Sequence, residues 1–128
     1  KIDIEARLIL DITRTQIVPA AMSYVHDLTK TIGEMQDLGI NKELYVAQLD
    51  LVKQVSEHVS GALNATKVLE DALGQTEQIE DLRKKAVAYR RDVFERFDEI
   101  RGHVDALELL VPDDKWPLPK YPEILFMK

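Results

Sequence analysis

The chain has no cysteine, so neither a disulfide framework nor thiolate chemistry can be built from it, and nothing in its thiol usage conflicts with the cytosol. Its five glycines are all isolated. No GxGxxG or GxxxxGK[ST] loop can be written, which removes the phosphate-cradling devices of nucleotide sites. There is no GxSxG elbow and no HExxH helix. No apolar run approaches a membrane span, and the N-terminus lacks the basic-then-apolar layout of a signal peptide. Basic residues are outnumbered, giving a net charge of −6; a nucleic-acid binder needs a basic face, so none is expected. Proline is scarce before residue 112: one at Pro19, then Pro112, Pro117, Pro119 and Pro122.

What is present is helical. With 128 residues, 45% hydrophobic and 31% charged, the chain suits one domain with a core of its own and no staple. Apolar residues at Val18, Ala21, Val25, Leu28, Ile32 and Met35 follow 3-4 spacing, the mark of a single buried helical stripe. Ile4 and Leu8 are expected to begin the same stripe. Pro19 deletes one backbone hydrogen bond and predicts a kink or break near Val18. Gly39 supplies a left-handed cap, and Asn41 an N-cap for the next helix. That second helix carries Leu44, Leu51, Val55, Ala62, Ala65 and Leu69, widened by Val52, Val59 and Leu63, and is expected to end at Gly74. Thr76 is then the N-cap of a third helix, striped by Ile79, Leu82, Ala86, Tyr89 and Val93, then Phe97, Ile100, Val104, Leu107 and Val111. Each of the latter two helices spans about 33 residues, roughly 50 Å. Short corners make neighbours antiparallel. The expected fold is therefore all-α: an elongated antiparallel up-down-up bundle over residues 1–110, with an extended Pro-rich tail over 111–128. Gly33, Gly61 and Gly102 interrupt helices at about 1 kcal/mol each; close helix approach and plain tolerance both account for them.

Catalytic chemistry finds little footing. His26, His58 and His103 fall one per helix, but axial positions of about 20, 27 and 8 Å from the first corner keep them from sharing a metal. No Glu-x-x-His pair of the di-iron type occurs. Arg83-Lys84-Lys85 and Arg90-Arg91 could suggest an anion patch, but acids stand four residues before bases around them (Glu80 before Lys84, Asp81 before Lys85, Asp92 before Arg96), which predicts surface ion pairs and not a phosphate site. Asp113-Asp114 after Pro112 reads as a turn ending the third helix. No catalytic, cofactor or metal residue is predicted. The interaction candidates lie in the tail: Trp116, Leu118, Tyr121, Leu125 and Phe126, with Ile124 and Met127, are too much apolar surface to stay in water. Pro117-Leu118-Pro119 should form an extended strut that lays them on a groove.

The tail's run Trp116-Pro117-Leu118-Pro119-Lys120-Tyr121, followed by Leu125-Phe126, resembles the C-terminus of type III glutamine synthetases. Arg14-Thr15-Gln16-Ile17 with Pro19-Ala20-Ala21 is similar to that family's first C-terminal helix. Arg83-Lys84-Lys85-Ala86, Tyr89, Asp98-Glu99-Ile100-Arg101, His103-Val104-Asp105 and Leu107-Glu108 resemble its last long helix. Pro122 departs from the pattern, where a basic or polar residue is expected. The resemblance implies a cytoplasmic parent enzyme that joins glutamate and ammonia with ATP and magnesium or manganese, as a double-ringed dodecamer. It implies that the catalytic machinery lies upstream, so no catalytic residue carries over. This segment would be a structural or assembly element contacting the parent's catalytic domain and neighbouring subunits. The start at Lys1, without an initiator methionine, fits a piece of a longer polypeptide. The competing expectation is an independent helical interaction or sensory module that binds a partner protein or small ligand.

Overall fold

The computed structural model describes residues 2–120, and every regular element among them is helical. Helix α1 (Ile2–Ile12) runs through a π-turn (Thr13–Ile17) directly into α2 (Val18–Asp37). Helix α3 is the long member, Val46–Glu77. A third helical run consists of α4 (Leu82–Ala88), a π-turn (Tyr89–Val93), a 3-10 turn (Phe94–Arg96) and α5 (Phe97–Leu110).

Pro19 does not break the first run. The turn before it widens, with the Val18 amide donating to the Thr13 carbonyl, and proline falls in the first turn of the resumed α-helix, where its missing donor costs least. One extra residue in the π-turn slides the buried stripe by one position. Ala6, Leu10, Thr13 and Ile17 are therefore inside, whereas Ile4 and Leu8 are exposed, contrary to the simple backward projection. The second π-turn likewise lets Ala88 and Val93, five residues apart, both face the core.

The first corner closes as the sequence predicts. Gly39 takes φ +74, the Ile40 amide reaches the Met35 carbonyl at 3.1 Å, and the Gly39 amide reaches Gln36 at 3.0 Å, which satisfies carbonyls left open at the helix end. Asn41, however, makes no side-chain cap. It precedes a 3-10 turn (Lys42–Leu44), so α3 starts at Val46 and Leu44 is exposed.

The second corner also lies later than Gly74 and Thr76. Helix α3 continues through both to Glu77, burying Leu73 and Thr76; a glycine inside a helix costs only about 1 kcal/mol against that packing. The N-cap of the third run is Asp81, whose carboxylate accepts from the Arg83 and Lys84 amides at 2.9 and 3.1 Å.

Two buried clusters hold the runs together. Ala6 and Leu10 meet Leu69, Leu73, Val93 and Phe97 in one. Ile17, Ala21, Val55, Val59, Leu107 and Trp116 form the other. Side-chain ties follow the same order: Arg7 pairs with Glu77, and Arg14 grips Glu70 through two bonds of 3.0 and 3.1 Å. Sequence numbers thus rise along the first run as they fall along α3. The predicted core positions Leu63, Leu82 and Ala86 are exposed.

Candidate functional site

Beyond α5 the chain turns back on the bundle. Val111 is buried, and the Lys115 and Trp116 amides both reach the Pro112 carbonyl at 3.0 and 3.1 Å. That tight turn, containing Asp113 and Asp114, delivers Trp116 to the cluster formed by Ile17, Val55, Val59 and Leu107, where only 8% of it is exposed.

Two lysines clamp the segment. Lys115 Nζ lies 2.9 Å from Asp27 and 3.1 Å from the Ser23 hydroxyl, both on α2. The hydrogen bond from this ammonium holds the Asp27 carboxyl below its usual range. Lys120 donates to the Val111 carbonyl, pairs with Asp113 at 2.8 Å and stands over the Trp116 ring at 6.0 Å. A cation at that distance is attracted by the ring quadrupole. Leu118, 36% exposed, lines a small apolar cleft of about 120 Å³ with Ile12, Ile17, Ile100 and Val104. Trp116 and Leu118 are therefore brought to the seam between the first and third runs. Tyr121, Ile124, Leu125, Phe126 and Met127 lie outside the described residues, as does Pro122.

A second feature escaped the sequence reading. His58 and His103 do meet: their Nδ1 atoms are 3.2 Å apart, and their ring centroids 5.4 Å. The earlier axial estimate placed the second corner near residue 75. Putting it at 78–81 changes the register between α3 and α5 by about eight residues, or about 12 Å, which removes most of the roughly 19 Å expected between these two histidines. His26 is exposed on α2. Gly61 makes the contact possible: a Cβ there would fall 2.5 Å from His103 Nε2 and collide with Cε1. Gly33 and Gly102, by contrast, face open space. A glycine and a histidine on the same turns of α3 were the available signal, but their meaning depended on the corner.

The pair is a hydrogen bond, one imidazole N–H donating to the other's lone pair. Two nitrogens on one tetrahedral zinc would also stand about 3.3 Å apart. Among the described residues, however, no group of three or more His, Cys, Asp or Glu could hold a metal. None of the described helices is long and apolar enough to cross a membrane.

The basic stretch also differs from expectation. Asp81 is occupied as a cap and Asp92 bonds Arg91 at 2.9 Å, so the predicted pairs with Lys85 and Arg96 do not form. Nor does Glu80 pair with Lys84, because it lies before the helix begins.

Comparison with known proteins gives a consistent likeness. The profile described as the glutamine synthetase C-terminal domain matches residues 1–36. A glutamine synthetase of Bacteroides fragilis (strain YCH46) is 34% identical over 131 residues, covering 100% of this chain and 18% of the relative. Over its first 36 residues the chain matches the glutamine synthetase C-terminal domain, and over its whole length it is similar to a glutamine synthetase.

A type-3 glutamine synthetase of Dictyostelium discoideum is 26% identical over 130 residues, covering 99% of this chain and again 18% of the relative. The chain thus spans about a fifth of the length of these curated relatives. The profile covers α1, the first π-turn and most of α2. The Trp116 anchor and the His58–His103 contact lie beyond it, in the part matched by the two relatives.

Proposed function

We propose that this chain is the non-catalytic structural and assembly segment at the C-terminus of a type III glutamine synthetase. In that reading it is an elongated antiparallel up-down-up bundle whose tail closes onto the seam between its first and last helices. The parent polypeptide would join glutamate and ammonia at the expense of ATP, with magnesium or manganese, as a cytoplasmic dodecamer. ATP and metal would be held by the rest of the polypeptide, and this segment would contact that catalytic part and neighbouring subunits. The observation that carries the reading is the end-to-end similarity to two glutamine synthetases, one of them named type-3, that extend far beyond the matched region. The packing supports it: Arg7, Arg14, Lys115 and the His58–His103 pair each tie one part of the fold to another.

The test is to express the whole polypeptide that contains these residues, with and without residues 112–128, and to measure glutamine formation and assembly mass by light scattering. The expected result is ATP-dependent synthesis by the whole protein, none by these 128 residues alone, and a weakened or smaller assembly on truncation. A whole polypeptide that makes no glutamine refutes the parentage. Full activity and unchanged mass after truncation refute the assembly role.

A further inference from the structure

The third run presents an apolar stripe that its own bundle does not cover. Leu82, Val87 and Phe94 are 81, 53 and 48% exposed. Val87 and Arg91 belong to two adjoining concavities of about 420 and 500 Å³, the first reaching back to Ile79 and the second forward to Phe94. The result is one continuous shallow groove along α4 and its π-turn. An amphipathic helix with an uncovered apolar face marks a contact surface, because that face costs free energy in water.

Charge narrows the occupant. Arg83, Lys84 and Arg90 edge the groove and, among the described residues, have no carboxylate partner. With Arg91, and against Glu95 at the far end of the second concavity, they make the border predominantly basic on a chain whose net charge is −6. Opposite potentials across an interface select and orient the partner. A phosphate or nucleic-acid ligand would use the basic border but leave the apolar floor unmatched, and the acidic remainder of the chain would repel a nucleic acid or an anionic bilayer.

We propose that this groove is the seat of an apolar ridge bordered by aspartate and glutamate, supplied by the part of the polypeptide outside these 128 residues. The proposal rests on the reading above only in taking the chain as one segment of a longer protein. The relatives, more than five times as long by their 18% coverage, provide ample surface for such a ridge.

The chain's lack of cysteine makes the test clean. Val87→Cys, Phe94→Cys and, as control, Leu109→Cys (86% exposed in the parent residue) are each introduced into the whole polypeptide and into the chain alone. Maleimide labelling is followed at the peptide level by mass spectrometry, so cysteines elsewhere do not interfere. The expected result is rapid labelling of positions 87 and 94 in the chain alone, and labelling at least about tenfold slower in the whole polypeptide, as for a face open less than about a tenth of the time. Arg83→Glu with Arg90→Glu should restore the fast rate. Equal rates in both proteins overturn the proposal. Protection in the chain alone that grows with its concentration assigns the groove to a second copy and also overturns it. Protection that survives the charge reversal refutes the acidic border. Glutamine formation is read separately: protected cysteines in a polypeptide that makes no glutamine would sink the parentage and leave the docking surface standing.

Discussion

Gly61→Ala is the most informative single change in this fold. The alanine Cβ would sit 2.5 Å from His103 Nε2, with Cε1 closer still, whereas non-bonded carbon contacts settle at about 3.5–4.0 Å. The imidazole must swing away by an ångström or more, and it cannot do so while keeping Nδ1 at 3.2 Å from His58 Nδ1. Losing that hydrogen bond costs about 0.5–1.5 kcal/mol. Against this, replacing glycine inside α3 by alanine gains about 0.8–1.0 kcal/mol of intrinsic helix preference. In the native background the two terms nearly cancel, leaving stability unchanged or slightly reduced. In a His103→Ala background the ring is gone and the helix gain stands alone, so Gly61→Ala should stabilise by about 1 kcal/mol. The four proteins of this cycle, unfolded in urea and followed by circular dichroism, should give a coupling of about 1 kcal/mol or more. If Gly61→Ala stabilises equally with and without His103, the imidazole does not rest on Gly61 and the register of α5 against α3 is wrong.

Three other outcomes follow from the contacts. Trp116→Ala empties a position in the second core cluster and should cost about 3 kcal/mol, the lower end for large aromatic deletions, read as a fall in denaturation midpoint; no change would show that the tail does not pack there. Asp81→Ala removes the cap over the Arg83 and Lys84 amides and should cost about 1 kcal/mol, while Asp81→Asn retains most of it; equal losses would deny the cap. The Asp27 carboxyl is held below its usual range by the hydrogen bond from Lys115. A depressed carboxylate contributes stability above its unfolded pKa and loses it as pH falls through the lower folded value. Trp116 emission should therefore hold steady from neutrality down to the ordinary carboxylate range and change only as pH falls below it, and Lys115→Ala should abolish the Asp27-dependent part of that change. A transition that Lys115→Ala leaves untouched would refute the clamp.

The sequence by itself determined the helical class, the Gly39 cap of the first corner and the apolar content of the tail. These follow from local physics: stripe period, a glycine able to take positive φ, and prolines that cannot donate. The resemblance of its terminal segments to glutamine synthetases was equally legible, because such wording survives without knowledge of the fold. Only the tertiary structure decided how the helices register. Gly74 and Thr76 carry the local marks of a helix end, yet burial of Leu73 and Thr76 outweighs a glycine penalty of about 1 kcal/mol and carries α3 on to Glu77. That shift of a few residues is doubled between two paired helices. It joins His58 to His103, turns Gly61 from an apparent flaw into a required space, and takes Asp81 away from ion pairing. The π-turns act in the same way, since one added residue rotates every position before it, putting Ala6 and Leu10 inside and Ile4 and Leu8 outside. Local spacing fixes which residues can share a face. Which face is buried depends on the sum of packing energies over the whole bundle, and no single stretch of sequence contains that sum.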